Sequence, residues 1–357
     1  MNQTTKISPR YRLHRYLTAC YALFIVYASL TPFSGWQHQG VNFIEVLFAP
    51  IAQTFTWFDF TLNGASYFPF GFLLAYMLRY KTSAEKVLLW STLTGLILSL
   101  SMEYTQMYLP SRVSSNSDLI SNSFGTFFGA LFALAITKYT WFTYLKTWQD
   151  KWFKRGRIYD FGLALVILWI FAQTNPSLPM LGSVFVSAVA RWPFDIVPVA
   201  PFNMLEYTEV ALNLLLLGIL LITLMREKRY TINVLLLVLS TVMFIKFIGA
   251  VILLKSWALF LWLDSEAMLG ILTGLLLLIG AMRLSHKRLL WLGTLTAISY
   301  LILVQHMLFS SSPSTAMRLY HWHYLHLLNY NGLSQLVTMI FPVLLTGYLW
   351  RTGILRK

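Results

Sequence analysis

The sequence predicts an all-α fold, a polytopic transmembrane helical bundle of about ten helices with both the N- and C-termini in the cytoplasm. Three observations support this prediction: the composition, the length of the apolar runs and the placement of the basic residues. Of the 357 residues, 57% are apolar and 11% are charged, whereas about a quarter of the residues of a soluble domain are charged. This balance excludes an ordinary soluble domain.

The apolar runs are long enough to cross a bilayer, whose core of about 30 Å requires roughly 20 residues of helix. We expect one membrane-spanning helix in each run. The predicted spans are 16–32, 62–78, 87–107, 118–137, 160–174, 207–225, 232–254, 265–282, 289–309 and 335–350. The first run follows several basic residues, but no small-residue cleavage site comes after it, and we therefore expect a retained signal anchor.

The basic residues alternate between the gaps that separate these runs. Most of the 27 Lys and Arg residues lie in every second gap, and the intervening gaps contain only Arg112, Arg191, Lys255 and Arg318. Because cytoplasmic loops are enriched in Lys and Arg, this alternation predicts the direction of every crossing. The net charge of +14 is then spread over short loops that face anionic lipid. We expect membrane lipids as partners and no nucleic acid.

Three gaps are predicted to be more than connectors. Residues 33–61 carry an apolar run broken by Pro50, which is too short to span and indicates an interfacial or re-entrant helix. Residues 138–159 mix aromatic and basic residues, as in an amphipathic segment on the cytoplasmic surface. Residues 175–206 contain five prolines, which exclude a long regular helix.

The two halves of the chain share short sequence matches. Asp59-x-x-x-Asn63 corresponds to Glu209-x-x-x-Asn213, and the glycine pair of the fourth span corresponds to Gly270-x-x-x-Gly274. We therefore predict a four-helix unit at 1–137, a basic and aromatic linker at 138–159, and a second helical region at 160–357. The second region is interpreted as a possible degenerate repeat in parallel orientation.

Polar side chains are densest around the predicted outer gap between the third and fourth spans. Glu103 and Gln106 share one helix face, and Asp118 and Asn122 share a face of the next helix. The short gap makes the two helices antiparallel neighbours, which brings the carboxylates to similar depth. Because polar groups in membrane helices are costly, this cluster predicts an outward-facing ligand pocket. Its six residues are Asn63, Glu103, Gln106, Arg112, Asp118 and Asn122.

Other interpretations of this cluster remain open. Glu103, Arg112 and Asp118 would also suit a structural ion-pair network, with Asp118 capping the fourth span. Catalysis by the carboxylates is a third interpretation, although an adjacent arginine would keep both ionised. The sequence contains no nucleophile, metal or cofactor motif that would support hydrolysis, and no cofactor is expected. Gly125 and Gly129 are predicted to permit close helix packing.

The motif order of this region resembles the VanZ-like family of bacterial membrane proteins, over roughly residues 14–137. The residues that carry the resemblance are Asn63, Phe68-Pro69-Phe70-Gly71, Glu103-x-x-Gln106, Arg112, Asp118, Asn122 and Gly125-x-x-x-Gly129. The resemblance implies a four-helix unit in a bacterial plasma membrane, and a link to the cell envelope and to antibiotic resistance, since the founding member is connected with glycopeptide (teicoplanin) resistance. The activity of the family is undefined, so the resemblance implies a site and a location but no reaction.

Two further features have competing interpretations. His321, His323 and His326 suggest a metal site, but the aromatic residues beside them favour an interfacial belt. Lys246 lies within the seventh span, where we expect it to pair with Asp264 or Glu266, or else to serve a proton or ion pathway.

The preferred functional hypothesis is a cell-envelope protein that binds a polar molecule, lipid-linked or related to peptidoglycan, at the outward pocket. Arg112 would contact its anionic group. A secondary transporter with a site between two helical repeats is the first alternative. An intramembrane enzyme that uses Glu103 and Asp118 is the second.

Overall fold

A computed structural model describes residues 12–50, 56–184, 202–308, 315–322 and 325–354. Within these ranges the chain forms α-helices and no β-strand, which confirms the all-α class. The helices are α1 (Arg12–Leu30), α2 (Phe43–Phe48), α3 (Trp57–Leu78), α4 (Ala84–Gln106), α5 (Asn116–Ile136), α6 (Thr140–Trp152), α7 (Arg157–Gln173), α8 (Met204–Leu224), α9 (Thr231–Leu253), α10 (Ser265–Met282), α11 (His286–Leu308) and α12 (Leu325–Ile354).

Seven of the described helices are long and apolar enough to cross a membrane, and the chain is a multi-pass membrane protein. These helices are α4, α5, α8, α9, α10, α11 and α12. The other three predicted spans coincide with α1, α3 and α7. The total of ten crossings and the cytoplasmic placement of both termini stay predictions.

Two helices extend well beyond the predicted spans. Helix α3 begins at Trp57 because Thr56 caps it, accepting a hydrogen bond from the N–H of Asp59. Helix α12 has 30 residues, although its sequence predicted only 335–350. Its first turns contain polar residues such as Asn331 and Ser334, which are fully buried inside the protein rather than exposed to lipid.

The three long gaps are only partly helical in the described ranges. The first contains the short helix α2, capped by Asn42, while residues 51–55 lie outside the described part. The second contains the amphipathic helix α6. In the third, residues 175–184 are irregular. Residues 185–201, which include Arg191 and three of the five prolines, lie outside the described residues.

The chain divides into two compact units, one ending at Gln149 and the other beginning at Asp150. In the first unit α3 and α5 approach so closely that backbone meets backbone. A Cβ atom built on Gly125 would lie 2.0 Å from the carbonyl oxygen of Gly64, and one on Gly71 would lie 2.0 Å from that of Thr126. Only glycine allows this approach, because any side chain would overlap the facing main chain.

The second unit is built around α8. From Glu209 to Leu224 every residue of this helix except Leu212 is buried, as expected for a helix that is apolar on all sides and surrounded by others. The segment after α7 is also buried, from Asn175 to Ser183, although it is not helical. Backbone without helical hydrogen bonds is tolerated at membrane depth only where protein groups satisfy it.

Candidate functional site

Glu103 is a buried carboxylate near the C-terminal end of α4, and it holds the loop that leads to α5. Its Oε2 atom accepts hydrogen bonds from the backbone N–H of Ser115, at 2.8 Å, and from the hydroxyl of Ser114, at 3.0 Å. The Ser114 hydroxyl also lies 2.9 Å from the main-chain oxygen of Glu103. Glu103 therefore fixes the start of α5 relative to the end of α4.

Asp118 lies in the first turn of α5, beside Glu103. The N-cap of this helix is Ser115, not Asp118, since the Ser115 side chain accepts from the N–H of Ser117. The Asp118 carboxylate lies within hydrogen-bonding reach of Asn63 on α3 and within electrostatic range of Glu103. The structure thus brings both predicted carboxylates and Asn63 to one end of the α3–α4–α5 group.

Arg112 and Gln106 point to a different place, the C-terminal end of α1. The Arg112 guanidinium donates through Nε and Nη2 to the carbonyl oxygen of Thr31, at 3.0 and 2.8 Å, and through Nη2 to that of Ala28, at 2.8 Å. The Gln106 amide donates to the carbonyl oxygen of Ser29, at 2.9 Å. These bonds satisfy carbonyl groups that a helix leaves unpaired at its last turn.

The interpretation of Arg112 as part of an ion-pair network with Glu103 and Asp118 is therefore wrong for the described residues. No carboxylate in the described part of the chain pairs with Arg112. The reason is geometric, because the main-chain oxygens at the end of α1 occupy the donors that such a network would use. Partial burial lowers the pKa of the guanidinium from its ordinary value, although an arginine remains protonated at neutral pH.

Asn122 lies deeper in the unit, on the face of α5 that meets α4. Its amide donates to the hydroxyl of Ser99 at 3.0 Å, while its Oδ1 atom is buried and has no partner among the described residues. The Tyr67 hydroxyl lies beside Ser99, outside normal hydrogen-bond geometry. Spare hydrogen-bonding capacity therefore remains in the interior between α3, α4 and α5.

Gly125 and Gly129 both face α3. A Cβ atom on Gly129 would lie 2.0 Å from the carbonyl oxygen of Phe68, which matches the close approach at Gly125. The two glycines set the distance between the helices that carry Asn63 and Asp118.

The protein-family model described as VanZ/LLP1 matches one continuous stretch of this chain. That stretch is residues 15–138. The resemblance to the VanZ-like family is thereby confirmed for this segment, which contains every residue of the candidate site. No curated protein and no solved structure matches the chain.

Sequence reasoning did not assign several groups of the VanZ-like segment that contact the candidate residues. The hydroxyl of Ser114 and the backbone N–H of Ser115 donate to Glu103, the hydroxyl of Ser99 accepts from Asn122, and Tyr67 lies beside Ser99. Ser99 and Tyr67 carry a signal that could have found them, because both are polar and lie on helix faces that meet other helices. The partners of Arg112 and Gln106 are main-chain atoms, for which the sequence carries no signal.

The second unit lies outside the VanZ-like match and has a polar interior of its own. Lys246 on α9 is fully buried, and its ammonium donates to the carbonyl oxygens of Pro179, at 3.1 Å, and Gln173, at 3.3 Å. Among the described residues it forms no ion pair, so the expected direct pairing with Asp264 or Glu266 is wrong, although Asp264 lies within electrostatic range of the ammonium. The buried irregular segment supplies carbonyl groups to Lys246 instead.

Glu209 on α8 differs from Lys246 because its charge has no strong partner. Both carboxylate oxygens are buried, and the hydroxyl and backbone N–H of Ser183 lie beside the carboxylate outside normal hydrogen-bond geometry. One turn further along α8, Asn213 accepts from the indole N–H of Trp169 and donates to the carbonyl oxygen of Leu181, both at 2.7 Å. Glu209 is thus an unsatisfied polar group in an otherwise well-bonded interior.

The histidine cluster is only partly described. His321 and His326 are exposed, and His323 lies outside the described residues. In the described part of the chain, no group of three or more His, Cys, Asp or Glu residues is arranged to hold a metal ion.

Proposed function

We propose that the VanZ-like segment binds a polar, phosphate-bearing molecule of the bacterial cell envelope, lipid-linked or related to peptidoglycan, at the outer surface of the plasma membrane. Arg112 carries this proposal. Its guanidinium is held in place by carbonyl oxygens rather than neutralised by a carboxylate, and the two N–H groups of Nη1 have no partner among the described residues. A fixed cation with two spare donors suits a phosphate or carboxylate group.

The other candidate residues would complete the site. Asn63 and Asp118 lie together at the same end of the unit as the loop that Glu103 holds. Asn122 has an acceptor to spare further inside. In this proposal Asn63 and Asn122 bind the polar part of the ligand, Gln106 contacts it beside Arg112 at the end of α1, and the carboxylates order the loop around it.

A binding measurement with a polyprenyl phosphate in detergent tests the proposal. We expect the purified protein to bind it, and Arg112→Ala to weaken binding about tenfold or more, because a charge-assisted hydrogen bond contributes about 1.5–3 kcal/mol. Arg112→Lys should recover part of the affinity. Arg318→Ala is the control, since Arg318 also lies in a predicted outer gap but is exposed and belongs to the second unit.

The cellular counterpart is teicoplanin susceptibility, measured in a deletion strain and in an Arg112→Ala strain at matched expression. We expect both strains to shift in the same direction. Because Arg112 also holds the end of α1, the thermal unfolding of each purified variant must accompany these assays. Unchanged binding and unchanged susceptibility in a folded Arg112→Ala protein would contradict the proposal.

A secondary transporter is the second candidate, and the interior of the second unit favours it. Lys246 and Glu209 are both fully buried within helices α9 and α8, where ionisable groups are costly and often mark ion or proton pathways. The transporter candidate is tested by measuring the uptake of a mixture of radiolabelled solutes into vesicles that contain the protein, with and without an imposed proton gradient. Transport should be lost in Lys246→Met or Glu209→Gln; uptake that persists in both variants would remove this candidate.

We also propose that residues 160–357 contain a degenerate copy of the unit at 1–137. Helix α8 packs on α10 through glycines, as α3 packs on α5: a Cβ atom on Gly274 would meet the carbonyl oxygen of Ala211, and one on Gly218 would meet Leu278. The correspondence of helix order and pairing supports a common origin of the two units.

A further inference from the structure

We propose that the second unit contains a phosphate-binding pocket at the ends of α8 and α10, and that an anionic phospholipid supplies the phosphate. This site is independent of the function proposed for the VanZ-like segment. It is a cavity of about 150 Å³, well above the roughly 10–15 Å³ that a single water requires. Its lining residues are Lys154, Ile222, Thr223, Met225, Arg226, Lys228, His286 and Leu289.

The lining separates into an apolar floor and a basic rim. Met225 and Leu289 are fully buried, whereas Arg226 and Lys228 are exposed. Four of the lining residues carry, or can carry, a positive charge, and the lining contains no acidic side chain. A pocket with this charge and an adjacent apolar surface suits the phosphate of a lipid better than a neutral or cationic group.

The chain that leaves α6 builds one wall of the pocket. Phe153 and Met225 form an antiparallel bridge, in which the N–H of Arg226 donates to the oxygen of Trp152 at 3.0 Å and that of Lys154 donates to the oxygen of Leu224 at 2.9 Å. These two bonds fix the backbone at Lys154 and at Arg226, which both line the pocket at the end of α8. The basic side chains therefore start from a fixed backbone, which reduces the ordering that ligand binding requires.

Two lysine side chains bind the carbonyl oxygens at the C-terminal ends of α8 and α10, whose partial negative charge would otherwise repel an anion. Lys154 donates to the carbonyl oxygen of Thr223 at 2.7 Å, at the last turn of α8. Lys228 donates to the oxygens of Met282 and Leu284, at 3.2 and 3.1 Å, at the end of α10. The partial negative charges of both helix ends are therefore covered. The first turn of α11, which has the favourable positive polarity, also lines the pocket through His286 and Leu289.

Arg226 and Lys228 keep donors for a ligand. Among the described residues Arg226 makes one side-chain bond, from Nε to the oxygen of Phe153 at 3.1 Å, and its four terminal N–H groups remain. The carboxylate of Glu227, which lies between them in sequence, forms an ion pair with Arg229 instead, at 2.7 Å. An arginine with a free guanidinium end can bind two phosphate oxygens at once.

The pocket also lies on the predicted cytoplasmic side of the membrane, where anionic lipids are expected. The alternation of basic residues predicts that the loops after α8 and α10 face the cytoplasm. The cytoplasmic leaflet is the anionic one, and a basic cavity between helices on that side is a typical headgroup site.

Native mass spectrometry and thermal-shift measurements on the full-length protein in detergent test the proposal. The probes are phosphatidylglycerol, phosphatidylcholine at the same concentration, and inorganic phosphate alone. Arg226→Gln with Lys228→Gln removes two charges from the pocket, and Lys287→Gln with Arg288→Gln removes two from exposed positions that do not line it. We expect the wild type to retain phosphatidylglycerol in preference to phosphatidylcholine, the pocket variant to bind it at least fivefold more weakly, and the control to change less than twofold.

Each other outcome is decisive as well. Competition by inorganic phosphate at millimolar concentration would support the phosphate pocket but assign a soluble source to the ligand. Equal losses in the pocket and control variants would show general attraction of lipid to a basic surface and would overturn the proposal, as would the absence of any preference in the wild type. Should the double variant fail to fold, the single variant Arg226→Gln replaces it, because Arg226 does not cap a helix. Unaltered retention of phosphatidylglycerol by that variant overturns the proposal.

Discussion

The α3–α5 pair of the first unit and the α8–α10 pair of the second unit achieve close packing in different ways. In the first pair Gly71, Gly125 and Gly129 face main-chain oxygens, and a Cβ atom built on each would lie 2.0 Å from the facing oxygen. In the second pair Gly274 lies farther from the facing main chain, at 2.9 Å, and Gly218 faces the flexible side chain of Leu278. Side chains can move to accommodate a change and main chain cannot, so the first pair should tolerate far less variation.

The two units also differ in how well their buried carboxylates are hydrogen-bonded. Glu103 has two hydrogen-bond donors within 3.0 Å, and Glu209 has none of normal geometry among the described residues. A carboxylate with hydrogen-bond donors stabilises the fold, whereas a buried carboxylate without them lowers the stability. Rigid packing and a satisfied acid occur together in the VanZ-like segment, and adaptable packing and an unsatisfied acid occur together in the second unit.

The largest expected effect comes from adding one methyl group between helices. Gly125→Ala should lower the free energy of unfolding by about 3 kcal/mol or more, because its Cβ atom meets the carbonyl oxygen of Gly64. Gly274→Ala should cost only about 1–2 kcal/mol. Unfolding in detergent, followed by circular dichroism, measures both, with Gly280→Ala as the control that meets no atom within 4 Å. Equal losses at positions 125 and 274 would remove the distinction between the units.

The next effect separates two buried asparagines. Asn213→Leu should destabilise the protein by about 2–3 kcal/mol, because it leaves the indole N–H of Trp169 and the carbonyl oxygen of Leu181 without partners. Asn122→Leu should cost about 1 kcal/mol or less, since Asn122 makes one side-chain bond, to Ser99, and already has one unpaired oxygen. The same unfolding assay ranks them, and the reverse order would contradict the hydrogen-bond assignment.

A third prediction concerns the two glutamates. Glu103→Ala should cost about 1–3 kcal/mol, because the N–H of Ser115 loses its acceptor. Glu209→Leu should leave the stability unchanged or raise it, because it replaces an unsatisfied buried carboxylate with an apolar side chain. Melting temperatures of the two variants, measured side by side, check the difference in sign. A strong loss in Glu209→Leu would show that Glu209 has a stabilising partner.

The smallest expected effect is at the helix caps. Ser115→Ala should cost about 1 kcal/mol, as is usual for an N-cap residue. Asp264 caps α10 through the N–H of Ala267 at 2.8 Å, and it lies within electrostatic range of both Glu206 and Lys246. Asp264→Ala should therefore cost about as much as Ser115→Ala, since it relieves repulsion from Glu206 but loses attraction to Lys246. A much smaller cost for Asp264→Ala would show that the repulsion from Glu206 dominates.

The sequence predicted the helices well because apolar runs of membrane length have few alternatives. It failed at the start of α12, where Asn331 and Ser334 interrupt the apolar pattern but lie inside the protein. Hydropathy measures the affinity of a segment for lipid, and it does not detect a polar helix end that other protein segments cover.

The sequence predicted that Glu103 and Asp118 lie close together, but it did not predict where Arg112 and Gln106 bind. Helical spacing placed Glu103 near Asp118, since both positions follow from a short connection between antiparallel helices. The attachment of Arg112 to the end of α1 depends on where main-chain oxygens lie, and main-chain oxygens are the same in every sequence. For the same reason the carbonyl partners of Lys246 could not be predicted.

The buried segment from Asn175 to Ser183 also has a consequence for biogenesis. Its Asn175 amide donates to Asn331 and Ser334 of α12, which are synthesised more than 150 residues later. While the ribosome is still translating α11, the segment can already bind Lys246 and Asn213, but the amide of Asn175 lacks its α12 partners. The hydrogen bonding of the buried segment is therefore completed only once α12 is in place, and a product truncated before α12 would leave this amide without those partners in the bilayer interior.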